Sequence, residues 1–217
     1  MPDPNNPHAG QPILTAGSSL GDAMAAAIFI HGRGASAEDI LTLAPVVASP
    51  DFACLAPQAA GHVWYPHSFL APRPRNEPSL RSALRMIKDL IDQVETAGIP
   101  AERIALVGFS QGACLALEAA ARHPKRYGAV GAFSGGLIGE SVALQDYAGS
   151  LDGTPIFIGC SDVDPHIPLE RVQESTRILV GLGAEVTEKI YPRMGHTINE
   201  DEAAHVRRLL ETFVRAA

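Results

Sequence analysis

The stretch Ile104-Ala105-Leu106-Val107-Gly108-Phe109-Ser110-Gln111-Gly112 decides the fold of this 217-residue chain. An apolar run leads into a Gly-x-Ser-x-Gly pentapeptide, and an alanine- and leucine-rich segment follows. A strand, a sharp turn and a helix in this order are typical of a nucleophile elbow, whose serine has a strained backbone. Glycine is needed two residues to either side because side chains there would collide. We interpret Ser110 as a nucleophile; the alternative is a glycine-rich turn in which Ser110 caps the helix.

A nucleophilic serine needs a histidine as general base, and on this fold the histidine comes last in the chain. His123 ends the elbow helix, and His205 lies inside the last amphipathic helix. His196 follows the strand-like segment 185–190 on a loop. A histidine at the carboxyl end of a strand can lie over the nucleophile, so His196 is the predicted base.

Two aspartates compete for the role of the acid that orients this histidine. Asp162 and Asp164 both follow the apolar strand 156–160. The acid must accept the Nδ1 hydrogen of the histidine, so it belongs on the loop beyond a strand. Both aspartates meet this condition, although Asp162 could instead bond backbone N–H groups within the loop. The residues alone leave the choice open.

Four stretches together resemble the phospholipase/carboxylesterase family of serine hydrolases, which includes acyl-protein thioesterases and is related to dienelactone hydrolases. They are Phe29-Ile30-His31-Gly32-Arg33-Gly34, Gly108-Phe109-Ser110-Gln111-Gly112, Asp164-Pro165-His166-Ile167-Pro168 and Gly195-His196. The resemblance runs from about residue 25 to the C-terminus and implies an α/β-hydrolase fold. The family's Asp-x-x-(Val or Ile)-Pro pattern matches Asp164 and not Asp162. Dienelactone hydrolases have cysteine where this chain has serine, which favours esterase or thioesterase chemistry.

The segment His31-Gly32-Arg33-Gly34 ends the apolar strand 25–30 and is interpreted as an oxyanion loop. One donor is the backbone N–H of the residue after the nucleophile, Gln111. The resemblance implies the backbone N–H of Arg33 as the other donor. We expect His31 to hold the loop by hydrogen bonds. An ordinary glycine-rich turn between strand and helix is the alternative.

The prediction is a serine hydrolase that cleaves carboxylic ester or thioester bonds of small or acyl substrates. Ser110, His196 and Asp164 would act through an acyl-enzyme, with no metal and no organic cofactor. Two alternatives stay open, a metal-dependent hydrolase and a catalytically silent ligand-binding protein on the same fold. The metal alternative would draw on Asp162, Asp164, His166, His62 and His67.

The long irregular segment 61–77 is the expected source of substrate contacts, because loops of this length in compact domains are usually functional. Trp64, Tyr65, Phe69 and Arg73 are the predicted pocket residues. The alternative is that the aromatic side chains anchor the loop to the core. Arg33, Arg73 and Arg75 together are a hypothetical site for a substrate carboxylate or phosphate.

Composition limits the classes of function. A chain that is 46% hydrophobic can bury the core of one domain, predicted over residues 11–217 after a loose, proline-rich tail at 1–10. The net charge of −7 gives no basic surface for nucleic acid.

The longest apolar run, 23–30, is too short to span a bilayer, and the tail lacks the apolar centre of a signal peptide. Three cysteines suit reduced core thiols, so we expect a cytoplasmic protein; a homodimer is compatible with the sequence.

Strand and helix patterns alternate along the chain, which predicts a mainly parallel sheet with helices on both faces and no large lid domain. A short antiparallel edge strand is expected within residues 11–22. The predicted strands are 25–30, 51–56, 103–108, 128–133, 155–160 and 185–190. The predicted helices are 36–48, 78–97, 111–122, 168–182 and 199–216.

Overall fold

A seven-stranded sheet forms the centre of the computed structural model, which describes residues 3–215. The strands are β1 (Ile13–Gly17), β2 (Ala25–Ile30), β3 (Phe52–Pro57), β4 (Ile104–Phe109), β5 (Ala129–Phe133), β6 (Pro155–Ser161) and β7 (Glu185–Tyr191). Their order in the sheet is β1-β3-β2-β4-β5-β6-β7. Only β1 is antiparallel to its neighbour, β3. The predicted parallel sheet and its antiparallel edge strand are confirmed, and the carboxyl ends of six strands share one edge.

Six helices cover the two faces of this sheet. They are α1 (Ala37–Leu41), α2 (Ala44–Val47), α3 (Ser79–Thr96), α4 (Gln111–Arg122), α5 (Leu169–Gly181) and α6 (Glu200–Arg215). Side chains of α3, α4 and α5 pack in one buried cluster, and those of α1, α2 and α6 pack in the other. Strand β2 shows why its sequence is uniformly apolar: Ala26 and Ile28 enter the first cluster, and Ala27 and Phe29 enter the second.

The predicted helix 36–48 is wrong as one continuous element. It consists of α1 and α2, and Pro45 lies in the first turn of α2. Proline has no N–H to donate and is accepted at the start of a helix but not in its interior. The chain therefore ends one helix and begins another. Over the described residues, the remaining predicted helices agree with the structure to within one or two residues. Residues 216 and 217, where the last predicted helix and the predicted domain end, lie outside the described part of the chain.

Residues 3–10 differ from the loose tail expected over residues 1–10. His8 is only 1% exposed, and its backbone N–H donates to Ser82 Oγ at 3.0 Å. Both ring nitrogens are hydrogen-bonded: Nε2–H donates to the Trp64 carbonyl at 2.9 Å, and Nδ1 accepts the Ala60 N–H at 3.0 Å. Burial lowers the pKa of His8, which agrees with the neutral ring that an accepting Nδ1 requires. The segment packs against the domain because His8 is a buried polar anchor.

Across residues 3–215, every helix is too short or too polar to cross a membrane.

Candidate active site

Ser110 occupies a strained turn between β4 and α4. Its φ of 55° and ψ of −119° lie in a region that residues other than glycine rarely adopt. The turn is tight on both sides: a Cβ on Gly108 would lie 2.3 Å from the Gly112 carbonyl oxygen, and one on Gly112 would lie 2.0 Å from that of Ile30. Both glycines are therefore required by close backbone contacts, and the serine is presented at the carboxyl edge of the sheet.

The structure brings the three predicted residues, Ser110, His196 and Asp164, into one hydrogen-bonded chain. His196 Nε2 lies 2.8 Å from Ser110 Oγ, and His196 Nδ1 lies 2.7 Å from Asp164 Oδ2. The residues follow three different strands, β4, β7 and β6, and they meet because these strands end at the same edge. The His196 ring contacts the rings of Phe109 and His166, each with its centroid 4.9 Å away.

The side chain of Asp164 is buried, but its hydrogen bonds favour the ionised carboxylate. Its Oδ2 faces His196, and its Oδ1 accepts the backbone N–H groups of His166 at 2.8 Å and Ile167 at 3.0 Å. Burial alone would raise the pKa of this carboxyl group. The hydrogen bond with His196 and the two backbone N–H groups outweigh burial and hold the pKa below its ordinary value.

Asp162 bonds a backbone N–H group, as its alternative role required, but that group lies in the loop after β7 and not in the loop of Asp162 itself. Its Oδ1 accepts the Arg193 N–H at 2.7 Å, which joins the loop after β6 to the loop after β7. Within residues 3–215, no group of three His, Cys, Asp or Glu side chains is arranged to hold a metal ion. The metal-dependent alternative thus lacks a ligand set in the described part of the chain.

The loop after β2 is held by His31, as expected. His31 Nδ1–H donates to the Gly32 carbonyl at 2.7 Å, and Nε2 accepts the Ala59 N–H at 3.1 Å. Burial lowers the pKa of His31, which keeps the ring neutral. The Gly32 carbonyl and the Arg33 N–H belong to one trans peptide and point in opposite directions. His31 therefore fixes the orientation of the Arg33 N–H.

A cleft of about 450 Å³ opens beside Ser110. This volume is within the range of small-molecule sites. Its walls come from the loop after β2, the elbow, the 61–77 segment and the loop after β6. The lining residues are Gly32, Arg33, Ala35, Tyr65, Pro66, His67, Ser68, Phe69, Phe109, Ser110, Gln111, Cys114, His166, Ile167 and His196.

Of the four predicted pocket residues, Tyr65 and Phe69 line the cleft, and Trp64 and Arg73 do not. Trp64 is fully buried. Its indole N–H donates to the His31 carbonyl at 2.8 Å, so it is an anchor. Arg73 pairs with the buried carboxylate of Glu118.

The three-arginine anion site is also wrong. The Arg33 guanidinium donates to the carbonyl oxygens of Tyr65, Pro66 and His67, at 2.8–3.1 Å. Arg73 is engaged by Glu118, and Arg75 is absent from the lining of the cleft. Of the three arginines, only Arg33 lines the cleft, and its guanidinium is already bonded to three protein carbonyls.

Glu118 is a structural residue that the sequence interpretation missed. Its side chain is fully buried in α4, where it pairs with Arg73 and Arg122 and accepts the Ile138 N–H at 3.0 Å and the Tyr147 hydroxyl at 3.1 Å. One signal was present: Glu118 interrupts an otherwise apolar helix, and a buried carboxylate requires charged or polar partners.

The model of the phospholipase/carboxylesterase family matches residues 18–214. The chain belongs to this family. The crystal structure of a phospholipase/carboxylesterase from Dyadobacter fermentans is 43% identical, covers 94% of this chain and 97% of its own, and superposes with a TM-score of 0.90.

Two other proteins are similar to this chain at lower identity. Acyl-protein thioesterase 1 of Gibberella zeae is 33% identical over 141 residues, which is 63% of this chain and 60% of that relative. This chain thus spans less than two thirds of that relative's length. The Bacillus cereus carboxylesterase is 18% identical, covers 96% of both chains and has a TM-score of 0.73, which shows the shared α/β-hydrolase fold.

Proposed function

We propose that this protein is a serine hydrolase that cleaves carboxylic ester or thioester bonds of small or acyl substrates. The observation that carries the proposal is the hydrogen-bonded chain from Ser110 through His196 to Asp164 at the base of the cleft. The strained elbow and membership of the phospholipase/carboxylesterase family support it.

The proposed reaction has two steps. Ser110 Oγ attacks the substrate carbonyl carbon while His196 Nε2 takes the hydroxyl proton. The tetrahedral intermediate collapses, His196 gives that proton to the leaving alcohol or thiol, and an acyl-Ser110 ester remains. His196 then takes a proton from water as the water attacks this ester, and it returns the proton to Ser110 as the acid leaves.

Two groups of residues would stabilise the transition states. The negative oxygen would accept the backbone N–H groups of Arg33 and Gln111, neither of which donates to a protein group in the described residues. Asp164 would hold His196 in the tautomer with its proton on Nδ1 and stabilise the imidazolium form. These residues require neither a metal nor an organic cofactor.

The lining of the cleft supports a substrate with an apolar group beside the scissile bond. Tyr65, Phe69, Phe109 and Ile167 supply apolar surface close to Ser110. Thioesters enter the proposal because the Gibberella zeae relative is named an acyl-protein thioesterase.

A cytoplasmic location fits the same proposal. Cys54, Cys114 and Cys160 are free and buried, and burial raises the pKa of their thiols to about 11, 12 and 12. Such protonated thiols suit a reducing compartment. The homodimer stays a prediction, which light scattering on the purified protein would check.

The test is hydrolysis of p-nitrophenyl esters from acetate to palmitate, with Ser110→Ala as the matched blank. We expect turnover in the native protein and its loss in the variant. The profile over acyl length then separates a small-ester site from a lipid site. Equal activity in the two proteins would overturn the serine mechanism, and no activity in either would favour the ligand-binding alternative.

A further inference from the structure

The two proposed oxyanion donors belong to residues whose side chains meet at one atom. Arg33 Nη2 donates to the Tyr65 carbonyl oxygen at 2.8 Å, and Gln111 Nε2 donates to the same oxygen at 2.9 Å. A carbonyl oxygen has two lone pairs, so these two bonds use it fully. Arg33 follows β2 and Gln111 begins α4, so the Tyr65 carbonyl links the two elements that carry the donors.

The preceding residue, Trp64, also connects the loop after β2 with α4. Its indole N–H donates to the His31 carbonyl at 2.8 Å, and its backbone N–H donates to Gln111 Oε1 at 2.9 Å. Trp64, Tyr65 and Gln111 are all buried, so these hydrogen bonds are shielded from water. We call residues 64 and 65 the Trp64–Tyr65 bracket. Four hydrogen bonds hold it between the oxyanion loop and the elbow helix.

We propose that the Trp64–Tyr65 bracket sets the spacing between the two oxyanion donors, with the side chains of Arg33 and Gln111 as positioning residues. The inference rests on the proposed serine-hydrolase function. Two N–H donors stabilise an oxyanion only when both lie about 2.7–3.1 Å from it. A displacement of about 1 Å caused by a change outside the reacting groups lowers turnover by up to about 10²-fold. The 61–77 segment is thus part of the catalytic support as well as a wall of the cleft.

Because the Arg33 side chain is exposed, it can be replaced without a change in the packing of the core. Arg33→Met keeps the backbone N–H and the aliphatic stem but removes every guanidinium bond to Tyr65, Pro66 and His67. Gln111→Met removes both bonds of Gln111 to the bracket. Arg75→Met is the matched control, because it removes the same charge from an exposed residue of the 61–77 segment, which contains the bracket.

The experiment measures kcat and KM for p-nitrophenyl acetate. We expect kcat to fall about ten-fold in Arg33→Met and in Gln111→Met, with KM within about two-fold of native. Arg75→Met should match the native enzyme. Arg33→Lys should recover part of the loss, because an ammonium group can donate to one of the carbonyls. The double variant should lose less than the product of the single losses, because both side chains act through one carbonyl.

A second readout separates donor spacing from general loosening. A trifluoromethyl ketone forms a tetrahedral oxyanion adduct with Ser110, whereas the matched methyl ketone binds without one. We expect the inhibition constant of the first to rise in parallel with the fall in kcat, and that of the second to stay constant.

The proposal is overturned if kcat of Arg33→Met stays within two-fold of Arg75→Met, or if KM rises while kcat is unchanged. Arg33→Met decides the question even if Gln111→Met fails to fold. If the native protein shows turnover that depends on Ser110 but Arg33→Met gives one of these results, the proposed function stands and only the role of the Trp64–Tyr65 bracket is refuted.

Discussion

Replacing Glu202 by glutamine should stabilise the protein at alkaline pH. Glu202 lies in the first turn of α6, and its side chain is fully buried. Oε2 accepts the Asn199 N–H at 2.8 Å, whereas Oε1 has no hydrogen-bond partner in the described residues. A Cβ on Gly159 would lie only 2.3 Å from Oε1, so the carboxyl group is packed directly against β6. An ionised carboxylate in this place is poorly compensated.

The size and sign of the effect follow from the pKa. Burial, with a smaller contribution from the Asp201 carboxylate, raises the pKa of Glu202 from 4.5 to about 7. Between these two pH values the folded protein keeps a proton that the unfolded chain has released. The stabilising contribution of protonated Glu202 to the free energy of unfolding is therefore at its maximum below pH 4.5, and it is lost as the pH rises through 7. At 1.36 kcal/mol per pH unit, the loss is about 3 kcal/mol.

Urea unfolding at pH 5 and pH 8 tests this prediction. The single tryptophan, Trp64, is fully buried, so its fluorescence reports the transition. Glu202→Gln should be about 3 kcal/mol more stable than the native protein at pH 8, and within about 1 kcal/mol of it at pH 5. Glu200→Gln, which removes a charge from an exposed residue of the same turn, should show no such pH dependence. A Glu202→Gln protein that gains nothing between pH 5 and pH 8 would refute the reasoning.

Five further substitutions test the site and its support. Asp164→Asn should lower kcat by about 10³–10⁴-fold, because the wrong tautomer of the histidine is then favoured, whereas Asp162→Asn should keep most activity; similar losses in both would contradict the assignment of the acid. Gly112→Ala should lower the free energy of unfolding by about 3 kcal/mol, because its Cβ meets a β2 carbonyl at 2.0 Å, and an unchanged urea midpoint would show that the elbow relaxes freely. Glu118→Met should destabilise the protein by about 3–5 kcal/mol, because the partly buried Arg73 and Arg122, the Ile138 N–H and the Tyr147 hydroxyl all lose their acceptor. Arg73→Met should cost only about 1 kcal/mol, because Arg73 is 29% exposed and Glu118 keeps its other partners. Equal effects of the last two changes on thermal unfolding would argue against Glu118 as the shared partner.

The sheet and the chain of Ser110, Asp164 and His196 could be predicted because local patterns determine them. Each of these residues follows a strand of the parallel part of the sheet, and parallel strands place their carboxyl ends side by side. The choice between Asp162 and Asp164 depended on a family pattern. Its physical basis, two backbone N–H donors to Asp164, is visible only in three dimensions.

The roles of side chains in the 61–77 segment could not be predicted in the same way. A pocket wall and a core anchor both require aromatic residues, so Trp64 and Phe69 looked alike in the sequence. The partner of Arg73 is Glu118, 45 residues further along the chain, and no local pattern reveals that pairing. His8 similarly finds its partners more than 50 residues away.

Labelling with a fluorophosphonate tests the central claim most directly, because this probe reacts with a serine only where a base activates it. We predict one adduct per chain by intact mass, located on the peptide that contains Ser110, with no adduct in Ser110→Ala and much slower labelling in His196→Ala. Labelling at the native rate in Ser110→Ala, or an adduct on another residue, would contradict the account.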